Sequence, residues 1–444
     1  MGRLLKLFCI FISITCSAYC QPNSSSCYSN YCVTGVHDYS FDELIDEGIN
    51  TTARQLEILN IPVRQLRFII KWHIKMHNFA LNKKEREKAV FRAISFTYPS
   101  VSPEGEKVLL SGLVTLPILP DSKPLRMYIY NRPICASYKI YPSNCLPIVA
   151  LLTADNTICV CPDYYGFGAT EGKPVPYVAF NYLGQCAAEC ALAALDIIRD
   201  NGIALEQGFY TWSSGYSQGA GSTLAMHKYI ENALPDSLQQ RINLRWSLCG
   251  GGIYSPAKLY ESLVISGDMG NMPSIFFQSL SGLFSAHYEQ LDNFSMRDIF
   301  LKKTLIIDSL LSISDGLWDL NDKLGKIVKS HNPADYFNSF ALDTAATLYK
   351  ALQSAFLSDG CDLGWRPRSP VLLIHSKNDK IIPFQLTQET YNQLSEKGNC
   401  SLVCPKISNS HYYTGFLYYA KLLRFREDEI FDHFKLSLGG GNSE

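Results

Sequence analysis

What this 444-residue chain lacks narrows the possibilities first. It carries no charge excess: 40 Lys+Arg stand against 41 Asp+Glu, a formal charge of −1. That balance gives no broad attraction for nucleic acid or an anionic membrane surface, so no polyanion partner is expected. Beyond the N-terminus no segment offers the roughly 20 uninterrupted apolar residues of a membrane-spanning helix. There is no internal repeat and no low-complexity tract, and the short run Gly439-Gly440-Gly441 reads as a frayed tail. Paired turn-borne zinc ligands are missing as well. Cys159-Val160-Cys161 and Cys186-x-x-x-Cys190 read as one strand and one helix, not as a zinc knuckle. His73 and His77 would share a helix face, but Ile74-Lys75-Met76 between them has no glutamate of the zincin kind. No metal and no cofactor are expected.

What is present begins with an export signal. Arg3 and Lys6 precede an apolar stretch from Leu7 to Thr15, followed by small residues around Ser17 and Ala18. This is the build of a signal peptide over 1–20, with cleavage after Ala18 or Cys20 and a secreted or extracytoplasmic product. Acylation of Cys16 or Cys20, as in a lipoprotein, stays open. Of the 15 cysteines, an even number remains once Cys9, Cys16 and Cys20 leave with the leader, which in an exported chain suggests disulfides. Cys27 with Cys32, Cys135 with Cys145, and Cys400 with Cys404 are the near-neighbour candidates; buried free thiols are the alternative. Asn23, Asn50, Asn293 and Asn399 open Asn-x-Ser/Thr sequons, used only in a eukaryotic secretory pathway.

The chain then organises into blocks. Residues 21–37 read as an extended lead-in and 41–86 as helical, so that 21–87 forms a mostly helical N-terminal extension. Two strand-like runs between Val90 and Ile118 flank Ser102-Pro103-Glu104-Gly105-Glu106, a hairpin at a sheet edge. Short apolar strands then alternate with helices: Arg126–Tyr130, Ile158–Cys161, helix Ala179–Arg199, Phe209–Ser213, and a helix from Ser217 to Glu231. Leu244–Cys249, Val371–His375 and Leu402–Ile407 supply later strands, with a helix starting near Tyr413. Such alternation predicts an α/β fold, a mostly parallel sheet flanked by helices. The hundred-odd residues between Gly252 and Pro370 hold no convincing strand, only helical stretches such as Pro273–Phe284 and Phe300–Leu311. That exceeds any ordinary connection, so 253–365 is expected to be a helical cap inserted into a catalytic domain of 88–252 and 366–437.

Gly215-Tyr216-Ser217-Gln218-Gly219 sits between the strand Phe209–Trp212 and a helical run rich in small residues. Strand, G-x-S-x-G, helix is the setting of a nucleophile elbow. The turn is tight enough that the residues two before and two after the serine have no room for side chains. The helix N-terminus aims N–H groups and its positive dipole end at an oxyanion formed there. A serine needs a base, and Asp379 and His411 follow Ser217 in the order Ser, acid, His. Asp379 stands just past the strand Val371–Ile374, and His411 lies between the last strand and the terminal helix. Asp359 and Asp362 are fallback acids. His375 is the rival histidine, but it precedes Asp379.

The elbow, the H-x-x-x-D-x-x-x-P acid loop at His375 to Pro383 and the late histidine resemble the α/β-hydrolase superfamily. Pro162-Asp163-Tyr164-Tyr165-Gly166-Phe167-Gly168, with Pro176-Tyr177 after it, is similar to a block of secreted lipase-like and prolyl-oligopeptidase-like hydrolases. The resemblance spans about residues 90 to 435 and implies a capped hydrolase acting on esters or peptides. It departs from the pattern after Tyr128-Ile129-Tyr130, where Asn131-Arg132-Pro133 replaces a His-Gly or Asn-His. By position, an N–H of this loop joins that of Gln218 in an oxyanion hole, and because Pro133 has none, Asn131 or Arg132 must supply it. Alternatively Arg132 sits over the pocket to bind a substrate carboxylate. Asp163 and Tyr164 read as residues that shape the loop. Phe276, Phe277, Phe284 and Tyr288 in the cap line an apolar acyl or aryl pocket or form the cap's own core.

The expected function is hydrolysis of a small-molecule carboxylic ester through Ser217, Asp379 and His411 and an acyl-enzyme. A serine peptidase acting on short peptides, and an inactive hydrolase fold used for binding, are the competing readings.

Overall fold

The computed structural model describes residues 30–430 apart from 58–62, 78, 119–122, 135–136, 271, 288, 303, 305–313, 363, 397, 406–409 and 427–428. The leader, Cys27, Cys135, Tyr288 and the stretch Ile407–Asn409 therefore lie outside the described residues.

Nine strands form one sheet: β1 (Cys32–Tyr39), β2 (Val90–Val101), β3 (Lys107–Ile118), β4 (Arg126–Asn131), β5 (Thr157–Pro162), β6 (Tyr210–Tyr216), β7 (Leu244–Gly250), β8 (Val371–Ile374) and β9 (Cys400–Val403). Their order is β1-β2-β3-β5-β4-β6-β7-β8-β9. The first three pair antiparallel, β3 also runs antiparallel to β5, and the six from β5 to β9 run parallel. Central strands such as β4, β5 and β6 are buried at every position. That is what a parallel sheet covered on both faces requires.

The hairpin is not the edge of the sheet. The lead-in supplies β1, paired with β2 from Cys32↔Thr97 to Tyr39↔Phe91 with an irregularity between Val33 and Gly35. Its polar positions face water, as suits an edge strand. The principal helices are α1 (Phe41–Glu57), α2 (Val63–Met76), α3 (Phe180–Asp200), α4 (Gln218–Asn232), α5 (Pro256–Ser266), α6 (Ser274–Ala286), α7 (Leu317–Ile327), α8 (Thr347–Ser358), α9 (Phe384–Ser395) and α10 (His411–Leu422).

Two apolar cores result. On one side α3 and α4 pack on the sheet and continue into the helices between β7 and β8. On the other, Leu44 and Ile49 of α1 and Ile70 and Ile74 of α2 join the aromatic face of the sheet. There Trp212 stacks between Tyr128 at 4.2 Å and Trp246 at 4.7 Å, neighbours in register on β4 and β7. His77 at the end of α2 reaches Asp155 at 2.7 Å, both buried, tying the N-terminal helices to the chain entering β5.

Between β7 and β8 the described residues hold helices and one isolated bridge, Phe300↔Phe337. Phe300 was expected in a helix; it lies in extended backbone because its ring stacks on Phe277 at 4.8 Å and Phe337 at 5.4 Å. Phe277 is fully buried in the apolar core on the α3–α4 side of the sheet.

One expected disulfide is not formed. Cys400 and Cys404 are free; extended backbone separates residues four apart by about 13 Å, well past the roughly 7 Å limit for a bridge. Cys135, the expected partner of Cys145, lies outside the described residues; Arg54 Nη1 is 4.0 Å from the Cys145 sulfur. Cys32 is disulfide-bonded. Cys159, Cys161, Cys186, Cys190, Cys249 and Cys361 are buried free thiols that pack as small apolar side chains. Burial pushes the Cys159 thiol up to about 12.

Candidate functional site

Ser217 stands where β6 turns into α4, with φ 57° and ψ −123°. This region costs a side-chain-bearing residue on the order of 1–3 kcal/mol and persists only where the surroundings enforce it. The surroundings here are backbone. A Cβ on Gly215 would collide with the carbonyl of Gly219, and one on Gly219 with the carbonyl of Asn131. The Ser217 N–H is meanwhile spent on Gly250 O at 2.8 Å. The hydroxyl is thus held at the C-terminal edge of the parallel strands.

His411 is the first residue of α10, whose N-cap Ser410 accepts from Tyr413 N at 3.2 Å. The expected helix start near Tyr413 is therefore two residues too late: the imidazole is carried by the first residue of a capped helix, not by a loop. Its Nε2 lies 3.0 Å from Ser217 Oγ and its Nδ1 2.7 Å from Asp379 Oδ2. Asp379 sits in the turn after β8, and its Oδ1 accepts from Ile381 N at 2.9 Å and Ile382 N at 3.0 Å. Burial alone would raise this carboxyl. Hydrogen bonds from His375 and His411 outweigh it and hold the group well below the usual carboxylate range. An ionised Asp379 requires a hydrogen on Nδ1 of His411, leaving Nε2 to accept from the Ser217 hydroxyl.

No family model and no curated protein sequence matches the chain. Solved structures do. A rice cell wall degrading esterase, LipA from Xanthomonas oryzae, superposes with a TM-score of 0.65 at 19% identity, over 78% of this chain and 92% of that one. A protein of Legionella pneumophila gives 0.63 at 17% identity, over 94% and 99%. Candida antarctica lipase A gives 0.57 at 16% identity, over 80% of this chain and 81% of that one.

The chain has the α/β-hydrolase fold.

In an α/β-hydrolase the serine faces the loop after the strand beside its own, here the end of β4. Asn131 pairs with Gly215 across β4 and β6, and the carbonyls of Asn131 and Arg132 press against Gly219. Neither side chain of this pair faces the Ser217 hydroxyl. Asn131 Oδ1 accepts from Tyr164 OH at 2.7 Å. Arg132 does not lie over a pocket for a substrate carboxylate. It is 4% exposed, its Nη2 donates to Asp163 O at 2.8 Å, and its guanidinium stacks over Phe167 at 3.9 Å and Tyr164 at 5.5 Å. A planar cation between aromatic faces holds the 163–168 loop against β4. Asp163 shapes the same loop: its carboxylate accepts from Ser111 Oγ, Ser143 N and Ser143 Oγ, while burial raises it despite these bonds. Gln218, first residue of α4, is buried with its side-chain amide donating to Tyr177 O at 2.8 Å, and in the first turn its backbone N–H has no intrahelical acceptor.

The fallback acids lie elsewhere. Asp359 pairs with His287 at 2.6 Å, and Asp362 is near Thr390 at 3.4 Å and Lys258 at 3.8 Å. The sequence did not show two neighbours of this triad, Tyr216 and Trp318, nor the place of a third, His375, which it offered only as a rival base. Tyr216 donates its hydroxyl to His411 O at 2.6 Å. Trp318, on α7, lies beside Tyr412, the residue after His411. His375 touches the far side of the Asp379 carboxylate at 3.3 Å; its four-residue spacing from Asp379 was the available signal.

Proposed function

We propose that the protein is a secreted serine esterase that hydrolyses small carboxylic esters through an acyl-enzyme on Ser217. The observation that carries the reading is the unbroken chain from Ser217 Oγ to His411 Nε2 at 3.0 Å and from His411 Nδ1 to Asp379 Oδ2 at 2.7 Å. The Ser217 proton passes to His411 as Oγ attacks the ester carbonyl, and His411 returns it to the departing alcohol. Water then repeats the sequence on the acyl-enzyme. Asp379 fixes the ring's tautomer and stabilises the imidazolium. The Gln218 N–H at the start of α4, with an N–H from the Asn131-Arg132 segment, stabilises the oxyanion.

Esters are favoured over peptides for a physical reason. An amine leaves only when protonated in place, which calls for tight positioning of the leaving group. Two of the acidic residues between β7 and β8 that could clamp a peptide's amine are engaged otherwise: Asp315 accepts from Ser137 Oγ at 2.7 Å, and Asp319 pairs with Lys323 at 2.6 Å. Secretion rests on the leader at 1–20, whose charged start and short apolar run fit a signal peptide. The structural likeness to an esterase and a lipase agrees with this reading. The test compares kcat/KM of the mature protein on p-nitrophenyl acetate, butyrate and decanoate with that on Gly-Pro and Ala-Ala p-nitroanilides. Esters are expected to be preferred throughout; an anilide exceeding the best ester makes it a peptidase.

A further inference from the structure

His375 is a second imidazole at the Asp379 carboxylate, and the chemistry just described leaves it without a part. It follows β8 directly and is completely buried. Its Nε2 lies 3.0 Å from Ile382 O and 3.3 Å from Asp379 Oδ2. Both neighbours only accept, so Nε2 carries a hydrogen. Its Nδ1 lies 2.7 Å from Thr387 Oγ1 on α9, a hydroxyl that donates to a neutral ring and accepts from a charged one. The ring is therefore held at both nitrogens in either state.

We propose that His375 is a positioning residue for the Ser217–His411 chemistry: its Nε2–H, set by Thr387, pins Asp379 from behind and limits the charge that carboxylate presents to His411. The inference rests on the esterase reading of Ser217. Asp379 Oδ1 is occupied by two backbone N–H groups, and Oδ2 meets His411 Nδ1 at 2.7 Å with the His375 Nε2–H, bonded to Ile382 O, reaching it secondarily at 3.3 Å. A carboxylate shared by two donors holds each less strongly than one donor alone. Removing the His375 N–H leaves more negative charge for the His411 imidazolium, which favours the protonated dyad and moves the acid limb of kcat/KM to higher pH. It also frees Asp379 to rotate, which lowers kcat.

The groups around His375 bound the effect. Asp379 is the charge facing it from its own loop, and across that carboxylate lies His411 at the start of α10. From α9 it meets uncharged Thr387 and the Phe384 ring at 6.0 Å. Tyr216 and Tyr412 also feel Asp379, but burial and that charge push both phenols up, so they stay neutral in the assay range. Lys377 and Lys380 flank the turn and are exposed.

The test measures kcat and KM on p-nitrophenyl butyrate from about pH 5 to 9 for the full mature chain, His375→Leu, His375→Gln and Thr387→Val. His375→Leu is expected to lose roughly 10–100-fold in kcat with KM unchanged, the scale of losing an orienting partner. Its acid limb is expected to rise by about 0.5–1 pH unit, at the low end of the effect of a neighbouring charge. His375→Gln, whose amide N–H falls near the Nε2 position, is expected to restore both rate and limb. Thr387→Val is expected to move the limb the same way by less. Limbs of His375→Leu and Thr387→Val coincident with wild type overturn the proposal, as does failure of His375→Gln to restore the limb. If His375→Leu does not fold, Thr387→Val against wild type decides alone. Ser217→Ala is assayed alongside: activity there sinks the esterase reading itself, whereas a dead Ser217→Ala with unmoved limbs sinks only the role of His375.

Discussion

The hydroxyl of Tyr216 donates to the backbone carbonyl of His411 at 2.6 Å, while its own backbone delivers Ser217. One side chain thus fixes nucleophile and base to each other across 194 residues of sequence. The rings of Tyr216 and His411 lie 5.1 Å apart, and Tyr418 packs on Tyr216 at 5.4 Å. Tyr216→Phe keeps that packing and removes one hydrogen bond, worth about 1 kcal/mol. A Tm lower by a few degrees and a kcat/KM lower by roughly 10-fold are expected, since a small displacement of the base is costly. Steady-state kinetics with a thermal melt checks it.

Asp379→Asn offers a neutral side chain where the imidazolium needs a charge, and it favours the wrong tautomer of His411. A loss on the order of 10⁴ in kcat is expected, with labelling of Ser217 by a fluorophosphonate slow but measurable. Equal loss from Asp362→Asn with Asp379→Asn unaffected would move the role.

The same carboxylate makes a prediction about stability against pH. Its folded-state value is depressed, so it contributes stability above the usual carboxylate value of about 3.9 and loses it as pH falls through the folded one. Wild type should therefore lose its margin over Asp379→Asn in denaturant titrations as pH drops below about 4. A margin constant from pH 7 to 3 would show that the carboxylate is not held as described.

Gly219→Ala should fail to fold or lose more than about 3 kcal/mol, because its Cβ would meet the Asn131 carbonyl, backbone that cannot swing away. Gly105→Ala, in the β2–β3 turn at φ +81° with open space around it, should cost only about 1 kcal/mol. Urea unfolding of the two variants measures the difference.

Much of this was legible in the chain because its signals are local. The elbow announces itself by glycines two residues either side of Ser217, and the central strands by unbroken apolar runs. What was missed is what local pattern cannot carry. Edge strand β1 breaks any apolar run with Thr34, Gly35, His37 and Asp38 and gains its pairing only from β2. The place of His411 on a helix depends on the Ser410 cap, and the direction of Arg132 on aromatic rings 32 and 35 residues further along. The Cys400–Cys404 pair failed because proximity in sequence was taken for proximity in space: extended backbone carries the two apart.

The most direct measurement of the central claim is intact-protein and peptide mass spectrometry after reaction of the folded, mature protein with a fluorophosphonate. The account predicts one adduct per chain, on the peptide carrying Ser217, absent in Ser217→Ala and in protein unfolded before exposure. No adduct on the folded chain, or an adduct on another residue that persists in Ser217→Ala, contradicts it.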